Sequence, residues 1–275
     1  MAGIGFIERT FQLSQGVGPW REKDLWARGV ATWDDFEAQT KKGVVMAKRL
    51  DAELQERIEL ARDALKRRDV HALAKLIPSR EHWRLYPHFV ELAAFFDIEA
   101  DDDDVPTVIG VMDSGGLGSF WGPRLTALPE RLAASPIWVT FNGAVYDVPV
   151  LKRVFPEFPQ PAAHVDLRFL VRKVRLKGGL KAIEDTLGFG RPPHLRGLKG
   201  LDAIRLWREW MINKDPKGLR LLIEYNLYDA INLRSVLEAT MWRVVEDYRW
   251  ELERTPIFER GDVLYDLSRL VLSVG

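Results

Sequence analysis

Apolar residues recur at helical spacing over the first third of the chain. Phe11 to Phe36 predicts two short amphipathic helices joined by a glycine-bearing turn. Lys48 to Leu76 has apolar residues three and four apart and contains neither proline nor glycine. This pattern predicts one long amphipathic helix whose charges face the solvent. Residues 1–85 are therefore expected to form a separate α-helical N-terminal module.

The pattern changes after Pro87, where continuous apolar runs replace the helical spacing. Leu92 to Phe96 and Thr107 to Met112 are typical of buried strands. Further strands are predicted at Ser119 to Trp121, Ile137 to Phe141 and His164 to Leu167, with helices at Pro129 to Ala134, Val148 to Val154 and Leu219 to Val236. Residues 86–242 are thus expected to form an α/β domain with a mixed five-stranded sheet flanked by helices, and 243–275 a C-terminal extension.

The amino-acid composition limits the classes of protein to which this chain can belong. A hydrophobic content of 47%, with 10 Trp and 13 Phe, indicates a packed core. Forty basic residues balance forty acidic ones, so any attraction to nucleic acid must come from local patches. Cysteine is absent, which excludes disulfides, thiolate zinc sites and cysteine nucleophiles. We find no signal-peptide pattern and no run of roughly 18 apolar residues, so we expect a cytoplasmic protein without membrane contact.

Three short acidic blocks end apolar segments or lie on a helix face. They are Phe96 to Glu99, Asn142 to Asp147 and Tyr225 to Asp229. An ionised carboxylate in such a place is costly unless an opposite charge compensates it. Taken singly, Asp97 and Glu99 are also explained by a capped strand end with solvated acids.

The spacing within each block directs its side chains toward one place. Asp97 and Glu99 are two apart on a predicted strand, so they share a face. Asp147 follows the fourth predicted strand, at the same edge of the sheet. Tyr225 and Asp229 are four apart on a predicted helix and also share a face. Four converging carboxylates predict a site for hard divalent cations, Mg²⁺ or Mn²⁺.

The order of these motifs resembles that of a known family. The patterns D-x-E, N-x3-Y-D and Y-x3-D are similar to the three exonuclease motifs of the DEDD superfamily, which has the ribonuclease H-like fold. The final spacing is that of the DEDDy branch, and Glu224 stands where a DEDDh enzyme carries its histidine. The longer text, including Leu180 to Glu184 and the pair Gly188 and Phe189, most resembles the YprB-type ribonuclease H-like proteins. The resemblance covers roughly residues 90–240.

This resemblance implies a two-metal-ion 3′–5′ exonuclease that acts on single-stranded or frayed nucleic acid ends. Asp97, Glu99, Asp147 and Asp229 would hold two divalent cations, Mg²⁺ or Mn²⁺, and Tyr225 would orient the attacking water. The motifs favour neither DNA nor RNA, and they leave endonucleolytic cleavage open. Protein partners are not indicated.

The chain departs from the family pattern beside the first motif. Family members commonly have Thr or Ser after D-x-E, whereas this chain has Ala100 followed by four aspartates, Asp101 to Asp104. The added negative charge would repel a phosphate backbone. An alternative function is therefore a nucleic-acid-binding or scaffold protein with weak or no catalysis. A third is a phosphatase or nucleotide hydrolase that uses the same carboxylates.

Two further residues are candidates to support the acidic site. Asp166 follows the second motif, at a place where related proteins often carry an aspartate, and is a candidate to orient a metal ligand. The competing interpretation is that Asp166 caps the next helix. Asn142, which opens the second motif, is the other candidate.

Gly16 and Gly18 begin a segment that resembles the helix-hairpin-helix modules of nucleic-acid-binding proteins. Exposed glycine amides at a helix start suit phosphate, and Arg21 and Lys23 would assist. The alternative is a helical hairpin that only packs on the rest of the protein.

The most basic stretch of the chain follows the fifth predicted strand. Arg172, Lys173 and Arg175 lie in it and are candidates to contact a single-stranded backbone. A solvated helix face explains the same charges.

Overall fold

The computed structural model describes residues 5–252 and residue 267. These residues divide into two compact units, one of 5–90 with 243–252 and the other of 91–242 with residue 267. In these ranges no helix is long and apolar enough to cross a membrane.

The first unit is helical. Its helices are α1 (Pro19–Ala27), α2 (Trp33–Thr40), α3 (Lys48–Lys66) and α4 (Val70–Leu76), followed by a 3₁₀ segment at Ser79–His88. Helix α2 begins with a reciprocal cap, in which the Thr32 hydroxyl accepts from the Asp35 amide and the Asp35 carboxylate accepts from the Thr32 amide. The two helices expected within Phe11 to Phe36 are thus present, the second extending to Thr40.

The single helix expected over Lys48 to Leu76 is wrong, because the chain turns between α3 and α4. Arg68 adopts a left-handed backbone with φ of 54°. The Asp69 carboxylate then accepts a hydrogen bond of 2.9 Å from the Ala72 amide and caps α4. The turn brings α4 against α3 and buries Val70 and Leu73. The apolar spacing alone predicted a continuous helix, but the short polar side chain of Asp69 starts a new one.

A buried ion cluster lies at the centre of the first unit. The Arg84 guanidinium, with no exposed surface, donates to both oxygens of Glu22 at 2.8 and 2.9 Å and lies 3.0 Å from Glu81. Three indole rings surround the guanidinium at 5.2 to 5.7 Å, those of Trp26, Trp83 and Trp250. Because a buried charge is tolerated only when it is paired, this cluster couples segments distant in sequence.

The second unit contains a five-stranded mixed sheet in the spatial order β3-β2-β1-β4-β5. The strands are β1 (Ala93–Ala100), β2 (Pro106–Asp113), β3 (Gly116–Trp121), β4 (Ile137–Thr140) and β5 (Ala163–Asp166). The first three pair antiparallel, while β4 runs parallel to β1 and β5 parallel to β4. The expected α/β fold with a mixed five-stranded sheet, together with the helical N-terminal segment, is confirmed.

Helices flank this sheet. They are α5 (Leu128–Ala133), α6 (Asp147–Val154), α7 (Leu167–Lys173), α8 (Leu180–Leu187), α9 (Gly200–Asn213) and α10 (Pro216–Tyr248). A buried core joins strand residues such as Phe96 and Trp138 to Leu151 of α6. Helix α10 is longer than the predicted Leu219 to Val236. Most of the predicted C-terminal extension, 243–275, lies outside the described residues.

A glycine allows α10 to pack closely on the sheet. Gly110 of β2 pairs with Asp97 of β1, and a Cβ atom at Gly110 would lie 2.8 Å from Oδ1 of Asn226 on α10. Any larger residue at position 110 would push the helix outward. The glycine thus lets the third acidic block lie beside the first.

Candidate functional site

Three of the predicted carboxylates form one cluster. Asp97 and Glu99 lie on the same face of β1, and Asp229 lies on α10. One carboxylate oxygen from each comes within 4.8 Å of the other two. Asn226, one turn before Asp229, donates from Nδ2 to Asp97 Oδ2 at 3.0 Å and to the Asp97 carbonyl at 3.1 Å. The amide fixes the orientation of Asp97, a contact that the motif spacing did not predict.

Asp147 lies at the first position of α6, beside the cluster but outside its 4.8 Å limit. The Ile98 backbone, between the two acids of β1, forms a hydrogen bond with the Asp147 carboxylate. A Cβ atom at Gly143 would lie 2.6 Å from Asp147 Oδ2. Only glycine therefore lets the loop before α6 approach this carboxylate so closely.

The carboxyl groups resist ionisation in the absence of a cation. Burial and the nearby Asp229 charge raise the pKa of Glu99 to about 8. The same causes hold the pKa of Asp97 well above its ordinary value. Burial, and then the charge of Asp166, raise the pKa of Asp147 to about 7. An all-oxygen donor set with this much repulsion fits a hard divalent cation, which would favour the ionised forms.

These shifts predict the pH dependence of stability without metal. Folded Glu99 keeps its proton up to about pH 8, whereas its ordinary pKa is 4.5, so the folded state binds protons that the unfolded chain has released. Stability in EDTA should therefore fall as pH rises from 6.5 to 8, by about 1.4 kcal/mol per pH unit for each proton retained. Buried His88, with its pKa lowered from 6.5 to about 4, opposes this trend only at lower pH, where the unfolded chain binds a proton that the folded chain does not. Thermal unfolding across this window measures the slope.

Glu99→Gln is the matched variant, because it removes one of the titrating carboxyls and keeps the shape. We expect a shallower slope in this variant and in wild type saturated with Mg²⁺. A slope in EDTA that is flat or rises with pH would contradict the proposed burial of these acids.

Two positively charged side chains, those of Arg191 and Lys181, contact the acidic cluster. Arg191 donates from Nε and Nη2 to the two oxygens of Glu184 at 2.7 and 2.6 Å, and its Nη2 also donates to Asp229 Oδ1. The Lys181 ammonium donates to the Tyr225 hydroxyl and lies 3.9 Å from Asp229 Oδ2. The pattern around Leu180 to Glu184 contained the signal for Lys181 and Glu184, but no spacing rule indicated Arg191.

Tyr225 is buried beside Asp229, on the same face of α10. Burial, followed by the charge of Asp229, raises the pKa of its phenol, so Tyr225 remains an O–H donor. The Lys181 ammonium lies 4.4 Å from the centre of its ring. A cavity of about 400 Å³ adjoins this pair and is lined in part by Lys181, Phe189 and Arg191.

Asp166 has two structural roles. Its carboxylate caps α7 through the Arg168 amide at 3.0 Å. It also accepts from the backbone amides of Asn142 and Ala144, at 2.8 and 3.1 Å, in the loop that leads to Asp147. Asn142 has a left-handed backbone with φ of 67°, and its Oδ1 accepts from the Arg168 guanidinium. The capping contact is therefore present, whereas the role of Asp166 in orienting a metal ligand stays a prediction.

The aspartate run is engaged with its surroundings. Asp101 Oδ1 accepts from the Asp103 and Val105 amides at 3.0 Å within its own turn. Asp104 accepts from the Tyr146 hydroxyl at 2.7 Å, and Asp102 pairs with Arg208. These contacts offset part of the negative charge beside Ala100.

The glycine-rich N-terminal segment contains one helix start. Gly18 is the N-cap of α1 and supplies no side-chain cap, while the Gly16 carbonyl accepts from Arg21. The Lys23 ammonium lies 4.9 Å from the centre of the Tyr248 ring. The Lys23 side chain thus contacts an aromatic ring within the first unit.

The structure separates the three basic residues that follow the fifth predicted strand. Arg172 lines a cavity of about 880 Å³, and Lys173 and Arg175 are not among the residues of its lining. Lys173 ends α7, and Arg175 follows with a left-handed backbone at φ of 62°. Of the three predicted contacts, Arg172 alone faces this cavity.

Comparison with known protein families gave a match. The family model RNase_H_2, of the RNase_H superfamily, matches residues 94–241, more than half of the chain. This range contains all five residues proposed for catalysis, Asp97, Glu99, Asp147, Tyr225 and Asp229. Neither the curated proteins nor the solved structures gave a match.

Proposed function

Because the chain belongs to the RNase H superfamily through its RNase_H_2 domain, we propose that it is a metal-dependent nuclease. In the finer form of the proposal, it is a DEDDy-type exonuclease that shortens single-stranded or frayed ends from 3′ to 5′. The observation that carries the proposal is the cluster of Asp97, Glu99 and Asp229, whose oxygens lie within 4.8 Å of one another.

The carboxylates would be the metal ligands. Asp97, Glu99 and Asp229 would hold one divalent cation, and Asp147 would complete the ligand set for a second. Bound Mg²⁺ or Mn²⁺ would supply a hydroxide nucleophile at neutral pH and stabilise the charge on the leaving 3′ oxygen. The all-oxygen composition of the set supports these two ions over zinc.

The neighbouring side chains would position the reacting groups. The Tyr225 hydroxyl accepts from Lys181, so its own O–H proton is free to donate to the attacking water. Arg191 binds Asp229 Oδ1 and leaves Oδ2 available as a ligand. Fixed partners of this kind keep a site close to its productive geometry before substrate binds.

A cleavage assay tests the proposal. Single-stranded DNA and RNA labelled at the 5′ end should give a ladder that shortens from the 3′ end in Mg²⁺ or Mn²⁺ and should stay intact in EDTA. Circular single strands are the matched control, because an exonuclease leaves them whole. Cleavage of circles would replace the exonuclease with an endonuclease, and intact polymers in every metal would reject the nuclease.

A second function is a nucleic-acid-binding protein with little catalysis. The contacts of Lys181 and Arg191 with Asp229 favour it, because they already neutralise part of the charge that a metal would neutralise. Titration with Mn²⁺ separates the two functions. A nuclease should bind Mn²⁺ at the acidic cluster and then cleave, whereas a binding protein should bind no Mn²⁺ there and hold nucleic acid without cleaving it.

A further inference from the structure

A cavity of about 880 Å³ lies between the loop after β4, helix α7 and the start of α8. We call it the strand groove. Arg168, Arg172 and Lys177 contribute positive charges to its lining, which contains no acidic side chain of the described residues. In a chain of zero formal net charge, this concentration of one sign creates a local attraction for anions.

Apolar side chains also line the groove. Phe141, Val171 and Leu176 face the same cavity as the three cations. A single strand presents both phosphates and unstacked base faces, and proteins bind it with basic grooves that also offer apolar or aromatic surface. A duplex keeps its base faces stacked inside, so it gains nothing from the apolar part of the groove.

Two segments that line the groove continue to the acidic site. Asp166 holds the amides of Asn142 and Arg168, and the loop from Asn142 continues to Asp147. Leu180, which also lines the groove, begins α8, and the next residue, Lys181, contacts Tyr225 and Asp229. Two walls of the groove are therefore connected to the acidic residues.

We propose that the strand groove binds the sugar-phosphate backbone of a single-stranded polynucleotide and directs its end to the acidic cluster. This inference rests on the proposed nuclease function and adds the surface of the protein that would hold the substrate. Arg172 and Lys177 are both exposed and supply the phosphate contacts. The Arg168 guanidinium donates to Asn142, so it holds the loop that forms one wall.

Two double variants of the full chain test the groove. Arg172→Gln with Lys177→Gln removes the two phosphate contacts, and Lys173→Gln with Arg175→Gln removes the same charge from the same segment outside the groove. Binding of fluorescein-labelled single-stranded DNA and RNA is measured by anisotropy in EDTA, over a range of salt concentrations. The groove variant should bind at least about tenfold more weakly. The slope of log binding constant against log salt concentration should fall in magnitude by about 1.4, or about 0.7 per lost phosphate contact. The control should stay within about twofold of wild type.

Several outcomes would overturn the groove. Equal losses in the two variants would mean that only overall charge matters, and unchanged binding in the groove variant would remove its role. Duplex bound as tightly as single strands, with the same loss, would reject the single-strand path. A wild type that cleaves while the groove variant binds normally rejects the groove alone. A wild type that binds through the groove yet never cleaves rejects the nuclease alone.

Discussion

Asp97→Asn should lower the rate of metal-dependent hydrolysis by about a hundred- to a thousandfold while the protein stays folded. Asp97 contributes to the three-carboxylate cluster and is held by Asn226. The amide keeps the shape but loses the charge that a cation requires, and loss of one preorganised electrostatic group typically costs about 10²- to 10³-fold. Single-turnover cleavage of a labelled strand in saturating Mn²⁺ measures the effect.

Asp103→Asn is the matched control, since it makes the same chemical change at an exposed position in the aspartate run. It should leave the rate within about twofold. In EDTA at pH 8, Asp97→Asn should unfold at a higher temperature than wild type, because one repelling carboxylate has been removed. Wild-type activity in Asp97→Asn would reject the assignment of the site.

Arg84→Met should destabilise the first unit by about 3–5 kcal/mol, the usual cost of removing one partner from a buried ion pair. The substitution leaves the carboxylates of Glu22 and Glu81 buried without their cation. Trp26, Trp83 and Trp250 surround the lost guanidinium. Tryptophan fluorescence during urea unfolding therefore reports the transition.

Arg80→Met, on the same 3₁₀ segment but exposed, should change stability by less than about 1 kcal/mol. A triple variant sharpens the test. Glu22→Gln and Glu81→Gln, added to Arg84→Met, remove the uncompensated charges and should recover part of the loss. No recovery would show that packing of the guanidinium against the indoles, rather than charge, stabilises the cluster.

The strands of the second unit could be predicted because their signal is local. Continuous apolar runs predicted β1 and β2 to within a few residues. Because side chains alternate between the two faces of a strand, Asp97 and Glu99 were also placed on one face. Spacing of four on α10 likewise placed Tyr225 beside Asp229. The limits of the domains and the roles of the site residues stay predictions.

Local patterns failed where one side chain or one distant contact decided the outcome. Asp69 caps the start of α4 and so separates it from α3, although the apolar spacing continued through the turn. Asn226 binds Asp97 across 129 positions of sequence, and Arg191 binds Asp229 across 38. No periodicity encodes such pairs.

The sequence by itself determined the five strands of the second unit and the faces on which the acidic residues lie, because both follow from local sequence patterns. Only the tertiary structure decided which partners those acids receive, Asn226, Lys181 and Arg191, and which cations share the strand groove. Hydrogen bonds and ion pairs depend on distances of a few ångströms between separate elements. Those distances arise when the helices pack on the sheet, after the local pattern has been satisfied.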